Sequence, residues 1–287
     1  MQGRAGTTAV EGSGTFTIGD LEVHRLGFGA MRITGHGIWG EPKDPEEARS
    51  LLRRVVELGV DFIDTADSYG PAISERLIRE ALHPYPEGFV IATKGGSIRF
   101  GPNGWGADGR PEHLREACEG SLRRLHLDRI DLYQLHTVDP HVPLEESVGA
   151  LKDLQDEGKI RQLGLSNVDV EELDRALEIA DVVSVQNRYS LDDRGSEDVL
   201  GRCAELGIGF IPWFPLAAGR LTKGRGPIAE VARAYDATPA QIALAWLLAR
   251  SPVLLPIPGT SSVDHLEENV AAASIHLTDE DLEHLSR

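Results

Sequence analysis

Asp61-Phe-Ile-Asp-Thr-Ala-Asp-Ser-Tyr-Gly70 opens as an apolar strand and ends as a polar turn. Alternation puts Val60, Phe62, Asp64 and Ala66 on one face and Ile63 and Thr65 on the other, so Asp64 shares a face with apolar residues just where the strand runs out. Tyr69 follows five residues later, in the loop. Taken alone, the stretch has two readings: a carboxylate and a phenol poised at a strand end, or a capping Asp followed by an aromatic that covers a core edge.

The next two apolar runs end in the same way. Phe89-Val-Ile-Ala-Thr-Lys94 brings Lys94 into step with Val90 and Ala92, and Ile130-Asp-Leu-Tyr-Gln-Leu-His136 brings His136 into step with Ile130, Leu132 and Gln134. Three consecutive strands thus end on Asp, Lys and His. A buried lysine without a carboxylate is costly, which pairs Lys94 with Asp64.

Outward from these runs, helical stripes of ten to fifteen residues alternate with short apolar runs near 26–31, 60–66, 89–95, 130–136, 160–166, 182–187, 208–214 and 253–258. Several are apolar on both faces, as strands of a parallel sheet under helices must be. Eight such units in 287 residues point to an α/β fold of the (β/α)8 TIM-barrel type. A doubly wound open sheet is the other candidate, but no Gly-x-Gly-x-x-Gly turn follows the first strand. Before the first unit, Thr15 to Leu26 alternates about Gly19-Asp20, a two-residue hairpin turn. Residues 1–14 read as a disordered tail and residues 15–287 as a single domain.

A formal net charge of −17 argues against a nucleic-acid or anionic-membrane partner. No apolar stretch is long enough to span a bilayer. Cys118 and Cys203 each lie in an apolar helical stripe, which suggests burial and not a disulfide or a metal site, and fits a cytoplasmic setting. Nothing fixes the oligomeric state, and a monomer is consistent with the sequence.

With Asp64, Tyr69, Lys94 and His136 at strand ends, the sequence resembles the aldo-keto reductase family from about residue 15 onward. The matching pieces are Gly27-Phe-Gly-Ala-Met31, Asp64-Thr-Ala-Asp-Ser-Tyr-Gly70 with Ser74-Glu75, Ala92-Thr-Lys94, Leu135-His136, Gly158-Lys-Ile-Arg161 with Gly164-Leu-Ser-Asn167, Gln186-Asn187, Pro215-Leu216, and Ile257-Pro-Gly259 with Glu268-Asn269. The resemblance implies an NADPH-dependent oxidoreductase acting on a small carbonyl substrate. Tyr69 would be the proton donor, eased toward working pH by Lys94, with Asp64 orienting Lys94 and His136 posing the carbonyl. It further implies a nicotinamide amide held by Ser166, Asn167 and Gln186, and a ring stacked on Trp213, ahead of Pro215 and Leu216. Many relatives carry a lysine and an arginine where this chain has Gly259 and His265. Contacts to the 2′-phosphate would then fall to Gly259, Thr260, Ser261, Ser262 and His265, with Glu268 and Asn269 on the adenine. Substrate contacts are expected from the loops carrying Trp39 and Trp105. Two rival functions remain open: a Schiff-base aldolase using Lys94, and a cofactor-binding regulatory subunit.

Overall fold

The computed structural model describes residues 8–216 and 226–286. A hairpin comes first: β1 (Thr15–Ile18) and β2 (Leu21–His24) pair antiparallel with Ile18 opposite Leu21. Gly19 between them sits at φ +65°, the left-handed region that a tight hairpin turn requires. Strands and helices then alternate: β3 (Phe28–Gly29), α1 (Pro45–Glu57), β4 (Phe62–Asp64), α2 (Ile73–Leu82), β5 (Val90–Gly95), an inserted hairpin of β6 (Ser97–Gly101) and β7 (Gly104–Ala107), α3 (Pro111–Leu125), β8 (Ile130–Leu135), α4 (Leu144–Asp156), β9 (Ile160–Ser166), α5 (Val170–Leu177), β10 (Val182–Gln186), α6 (Glu197–Leu206) and β11 (Gly209–Phe210). Four helices complete the described chain: α7 (Pro227–Ala234), α8 (Pro239–Arg250), α9 (Val263–Ala271) and α10 (Asp279–Ser286).

The seven strands β3, β4, β5, β8, β9, β10 and β11 form one parallel sheet in that order. The last apolar run makes only a bridge, Leu254 to Phe210, yet it touches both edges of the sheet. The Phe210 and Leu255 amides donate to the Val253 and Phe210 carbonyls, each at 2.8 Å, and the Gly27 amide donates to the Pro256 carbonyl at 3.0 Å. Pro256 and Pro258 carry no N–H, so no regular ladder continues there.

Strand parity divides the core. Phe62, Val90, Ala92, Leu132, Ile211, Leu255 and Ile257 turn inward and cluster with Ile18, Leu21 and Val23 of the first hairpin. Ile63 and Ile91, and on the other side Tyr133 and Leu135, turn outward under the helices. Asp64, Lys94 and Gln134 continue the inward parity one step past the last apolar residue, at the carboxyl ends of their strands.

Two expectations need correction. Residues 8–14 are packed and not a free tail: Glu11–Ser13 form a 3-10 turn, Val10 is fully buried, and Arg25 Nε donates to the Ser13 carbonyl. One buried valine in a Gly- and Thr-rich stretch has no periodicity to reveal it; residues 1–7 lie outside the described residues. The loop expected to carry Trp105 contains the β6–β7 hairpin, whose alternation is masked by Gly101, Gly104 and Gly106.

Cys118 and Cys203 are buried and unpaired, and burial pushes each thiol up to about 12. Among the described residues no helix is long and apolar enough to cross a membrane, and no group of three or more His, Cys, Asp or Glu could hold a metal ion.

Candidate active site

Lys94 and Asp64 are fully enclosed, at 0% and 2% exposure, and form an ion pair of 2.6 Å. Lys94 Nζ also donates to the Thr65 carbonyl at 2.8 Å and, more weakly, to Tyr69 Oη at 3.5 Å. Removing an ammonium from water on this scale favours its neutral form. Burial is the largest single influence on Lys94, but Asp64 and Tyr69 together outweigh it and hold its pKa above the ordinary value. An amine held charged in this way is unsuited to attack a carbonyl, which counts against the aldolase reading. The second oxygen of Asp64 accepts from Gln134 Nε2 at 3.1 Å and Gln186 Nε2 at 2.8 Å, so the carboxylate is fixed by three strands besides its own.

Tyr69, only 7% exposed, sets its Oη beside this pair. The expected downward pull of Lys94 is present but is outweighed. Burial raises the phenol above its usual value, and Asp64 adds to the rise. Tyr69 is therefore held in its protonated form. His136 follows the end of β8, with its ring edge-on to Tyr69 at 5.8 Å and Nδ1 3.3 Å from Ser68 Oγ. Burial, then Lys94 and Arg99, depress its pKa well below the usual value, so the imidazole is neutral at neutral pH.

Asp64, Tyr69 and His136 line a cleft of about 1030 Å³, with Lys94 buried behind them. Ser166 ends β9 and Asn167 follows it, Gln186 ends β10, and Trp213 to Leu216 lie beyond β11, all lining the cleft. Their side chains are already engaged with one another: Asn167 Nδ2 donates to the His136 carbonyl at 2.9 Å, and Trp213 Nε1 donates to Asn167 Oδ1 at 2.9 Å. Gln186 donates inward to Asp64, a use the sequence does not reveal. At the far end, Gly259, Thr260, His265, Glu268 and Asn269 line the cleft. Ser261 and Ser262 do not: Ser261 is exposed, and Ser262 Oγ accepts from the His265 amide as the cap of α9.

Two residues passed over in the sequence matter here. Arg32 lines the cleft beside Gly259, where a Cβ would come within 2.5 Å of the Gly29 carbonyl oxygen and 3.7 Å of Arg32 Cγ. Glycine at 259 thus permits the last run to lie against β3, and Arg32 brings a cation to that end of the cleft. Thr238 at the start of α8 also lines it, donating through Oγ1 to Glu268. Of the two expected substrate residues, Trp105 lines the cleft and stands edge-on to Tyr69 at 6.4 Å. Trp39 packs outside it, and its neighbour Ile38 takes the wall position.

A protonated phenol backed by an ammonium–carboxylate pair, at the strand ends of a parallel α/β sheet and in a cleft large enough for a dinucleotide, defines a carbonyl oxidoreductase. The model of the Aldo/keto reductase family matches residues 25–287. An uncharacterized oxidoreductase of Schizosaccharomyces pombe is 52% identical over 98% of this chain and 92% of its own length. Pyridoxine 4-dehydrogenase of Escherichia coli is 42% identical over 93% of the chain and 96% of its own. The crystal structure of a Klebsiella pneumoniae aldo-keto reductase in complex with NADP and acetate superposes with a TM-score of 0.81 at 31% identity, covering 94% of this chain and 93% of that one. The protein belongs to the aldo/keto reductase family and is an NAD(P)H-dependent oxidoreductase.

Proposed function

We propose that the sheet closes into a single (β/α)8 barrel from residue 15 onward, and that its cleft reduces an aldehyde or ketone to an alcohol with NADPH. The observation that carries the reaction is Tyr69 Oη, held protonated by burial and 3.5 Å from the Lys94 ammonium. NADPH held in the cleft would supply the hydride. As negative charge grows on the carbonyl oxygen, Tyr69 gives it a proton, and the Lys94 ammonium stabilises the phenolate left behind against the opposing charge of Asp64. Asp64, fixed by Gln134 and Gln186, keeps Lys94 charged and in place. The neutral His136 can donate a ring N–H to the carbonyl oxygen without presenting a second cation. Ile38, Trp105 and Phe214 give the cleft apolar walls that limit competing water.

The residues present fit the cofactor. Trp213 offers an aromatic face beside Ser166 and Asn167, and the bound NADP of the Klebsiella pneumoniae neighbour supports the choice of nucleotide. Arg32 brings a guanidinium and His265 an imidazole near Gly259 and Thr260 for the 2′-phosphate, with Glu268 and Asn269 reaching the adenine. Pro215 and Leu216 line the span between the two ends. Because one relative is a pyridoxine 4-dehydrogenase, pyridoxal is the first aldehyde to test, followed by open-chain aldehydes, ketones and quinones.

Replacing Tyr69 by Phe removes the proton donor and leaves the cofactor surface. Turnover should fall by about 10²–10⁴-fold while NADPH affinity stays nearly unchanged. A Tyr69→Phe protein that keeps more than about a tenth of wild-type turnover would remove Tyr69 from the role. Absence of turnover by the wild type on the whole panel would favour a binding role without catalysis.

A further inference from the structure

Arg99, on β6, donates every guanidinium N–H to a backbone carbonyl. Nε reaches Gly104 at 3.1 Å, one terminal nitrogen reaches Ile38 at 2.7 Å and Ser68 at 3.1 Å, and the other reaches Gly37 at 2.8 Å and Gly101 at 3.2 Å. Five bonds match the five donors of the group, so none is left for a substrate. Among the described residues no carboxylate forms a salt bridge with Arg99, and its flat face lies 3.7 Å from the Trp105 ring and 5.8 Å from the Trp39 ring. A guanidinium that binds only carbonyls and aromatic faces acts as a tie between segments, and the segments here are three: the 35–40 loop, the β6–β7 hairpin and the catalytic loop at Ser68.

The tied conformation needs holding. Ile38 sits at φ +57°, where a β-branched side chain is strained. Its carbonyl takes the shortest of the five bonds, and its side chain lines the cleft beside Tyr69, as does Trp105 across the hairpin from Arg99. The loop has further anchors, Asn103 N–H to the Gly37 carbonyl at 3.0 Å and Gly40 N–H to the Gly70 carbonyl at 2.8 Å, but among the described residues only the Arg99 side chain joins it to both the hairpin and Ser68. Ser68 in turn lies next to Tyr69 and 3.3 Å from His136.

We propose that Arg99 is the positioning residue that pre-forms the substrate wall of the cleft, holding Ile38 and Trp105 in register with Tyr69 and His136. The effect on catalysis rests on the carbonyl-reduction reading; the effect on the loops does not. Lysine keeps the charge but is a point donor with three protons, so it cannot reproduce a five-way planar tie.

The test compares wild type, Arg99→Lys and Arg99→Met as full chains. Hydrogen exchange should be faster by about tenfold or more at the amides of 35–40 and 101–104 in both variants, with the strands unchanged. With NADPH and pyridoxal, or whichever panel aldehyde the wild type reduces, KM for the aldehyde should rise about tenfold or more in both, kcat should fall less, and NADPH affinity measured by fluorescence should be unaltered. Wild-type exchange and KM in Arg99→Lys would overturn the proposal, because charge alone would then suffice. Loss of NADPH binding in both variants would overturn it as well, by showing a role in the whole fold. If the wild type reduces no carbonyl at all, the reduction reading fails and the exchange measurement alone decides whether Arg99 ties the loops.

Discussion

Burial favours the neutral forms of three ionisable groups around the catalytic loop, opposing proton loss from Tyr69 and Asp67 and proton uptake by His136. Asp67 is pushed up to about 7 by burial and by Glu75, with Arg124 and Lys94 pulling the other way, and its Oδ1 has no hydrogen-bond partner among the described residues. An unfolded chain ionises this carboxyl near 4. Between that value and about 7 the folded state binds the extra proton, so stability falls as pH rises through this window, by at most about 1.4 kcal/mol per pH unit. His136 acts in the opposite sense: its depressed pKa makes stability fall as pH drops below about 6.5. Comparing wild type with Asp67→Asn separates the two. The variant should gain in urea midpoint relative to wild type between pH 5 and pH 8, and parallel profiles would show that Asp67 ionises normally. Parity along single strands was enough to place Asp64 and Lys94 together. It could not show that Gln134 and Gln186 both donate to Asp64, since that depends on the register of β8 and β10 against β4, which no local pattern records.

Elements with strong periodicity were legible, and those built on glycine were not. The stripes of α1 to α6 and α8 mark themselves by spacing, and caps such as Asp169 with Glu172 and Thr238 with Gln241 fix where α5 and α8 start. The β6–β7 hairpin hides behind its glycines, and with it the tie made by Arg99. At the far end of the cleft, beside the start of α9, the cation comes from Arg32, in the turn after β3, far away in sequence. A cation meeting a phosphate through charge-assisted hydrogen bonds contributes about 1.5–3 kcal/mol. Arg32→Ala should therefore weaken NADPH binding about tenfold or more and leave NADH nearly untouched, as read by fluorescence titration. His265→Ala should do the same to a smaller extent, because the imidazole is a second polar group lining the same end of the cleft. Equal loss for both nucleotides would place Arg32 on a part of the cofactor that they share.

Closure of the sheet is a property of the whole molecule, and it hangs on the segment around 253–258. Seven strands in parallel order leave two edges, β3 and β11, each only two residues long. Short edges of an open parallel sheet exchange their amides quickly, because nothing covers their outer hydrogen-bonding groups. Here the Phe210, Leu255 and Gly27 amides all donate across the gap, to Val253, Phe210 and Pro256, while Leu255 and Ile257 pack in the inner core with Phe62 and Leu132. A ring closed in this way should protect those three amides nearly as strongly as the amides of β5, β8 and β9. Residue-resolved hydrogen exchange tests it. Exchange at Gly27 and Leu255 faster than in β8 by a factor of about 10³ or more, equivalent to roughly 4 kcal/mol of local opening, would mean that the ring opens at this seam and that the sheet is better described as seven-stranded. Protection within about tenfold would make the eighth run a barrel stave despite its missing ladder. The cleft shares that seam: Gly29, Ile257, Pro258 and Gly259 line it, so NADPH should raise protection there when it binds, whereas an open seam would leave exchange at Gly27 indifferent to the nucleotide.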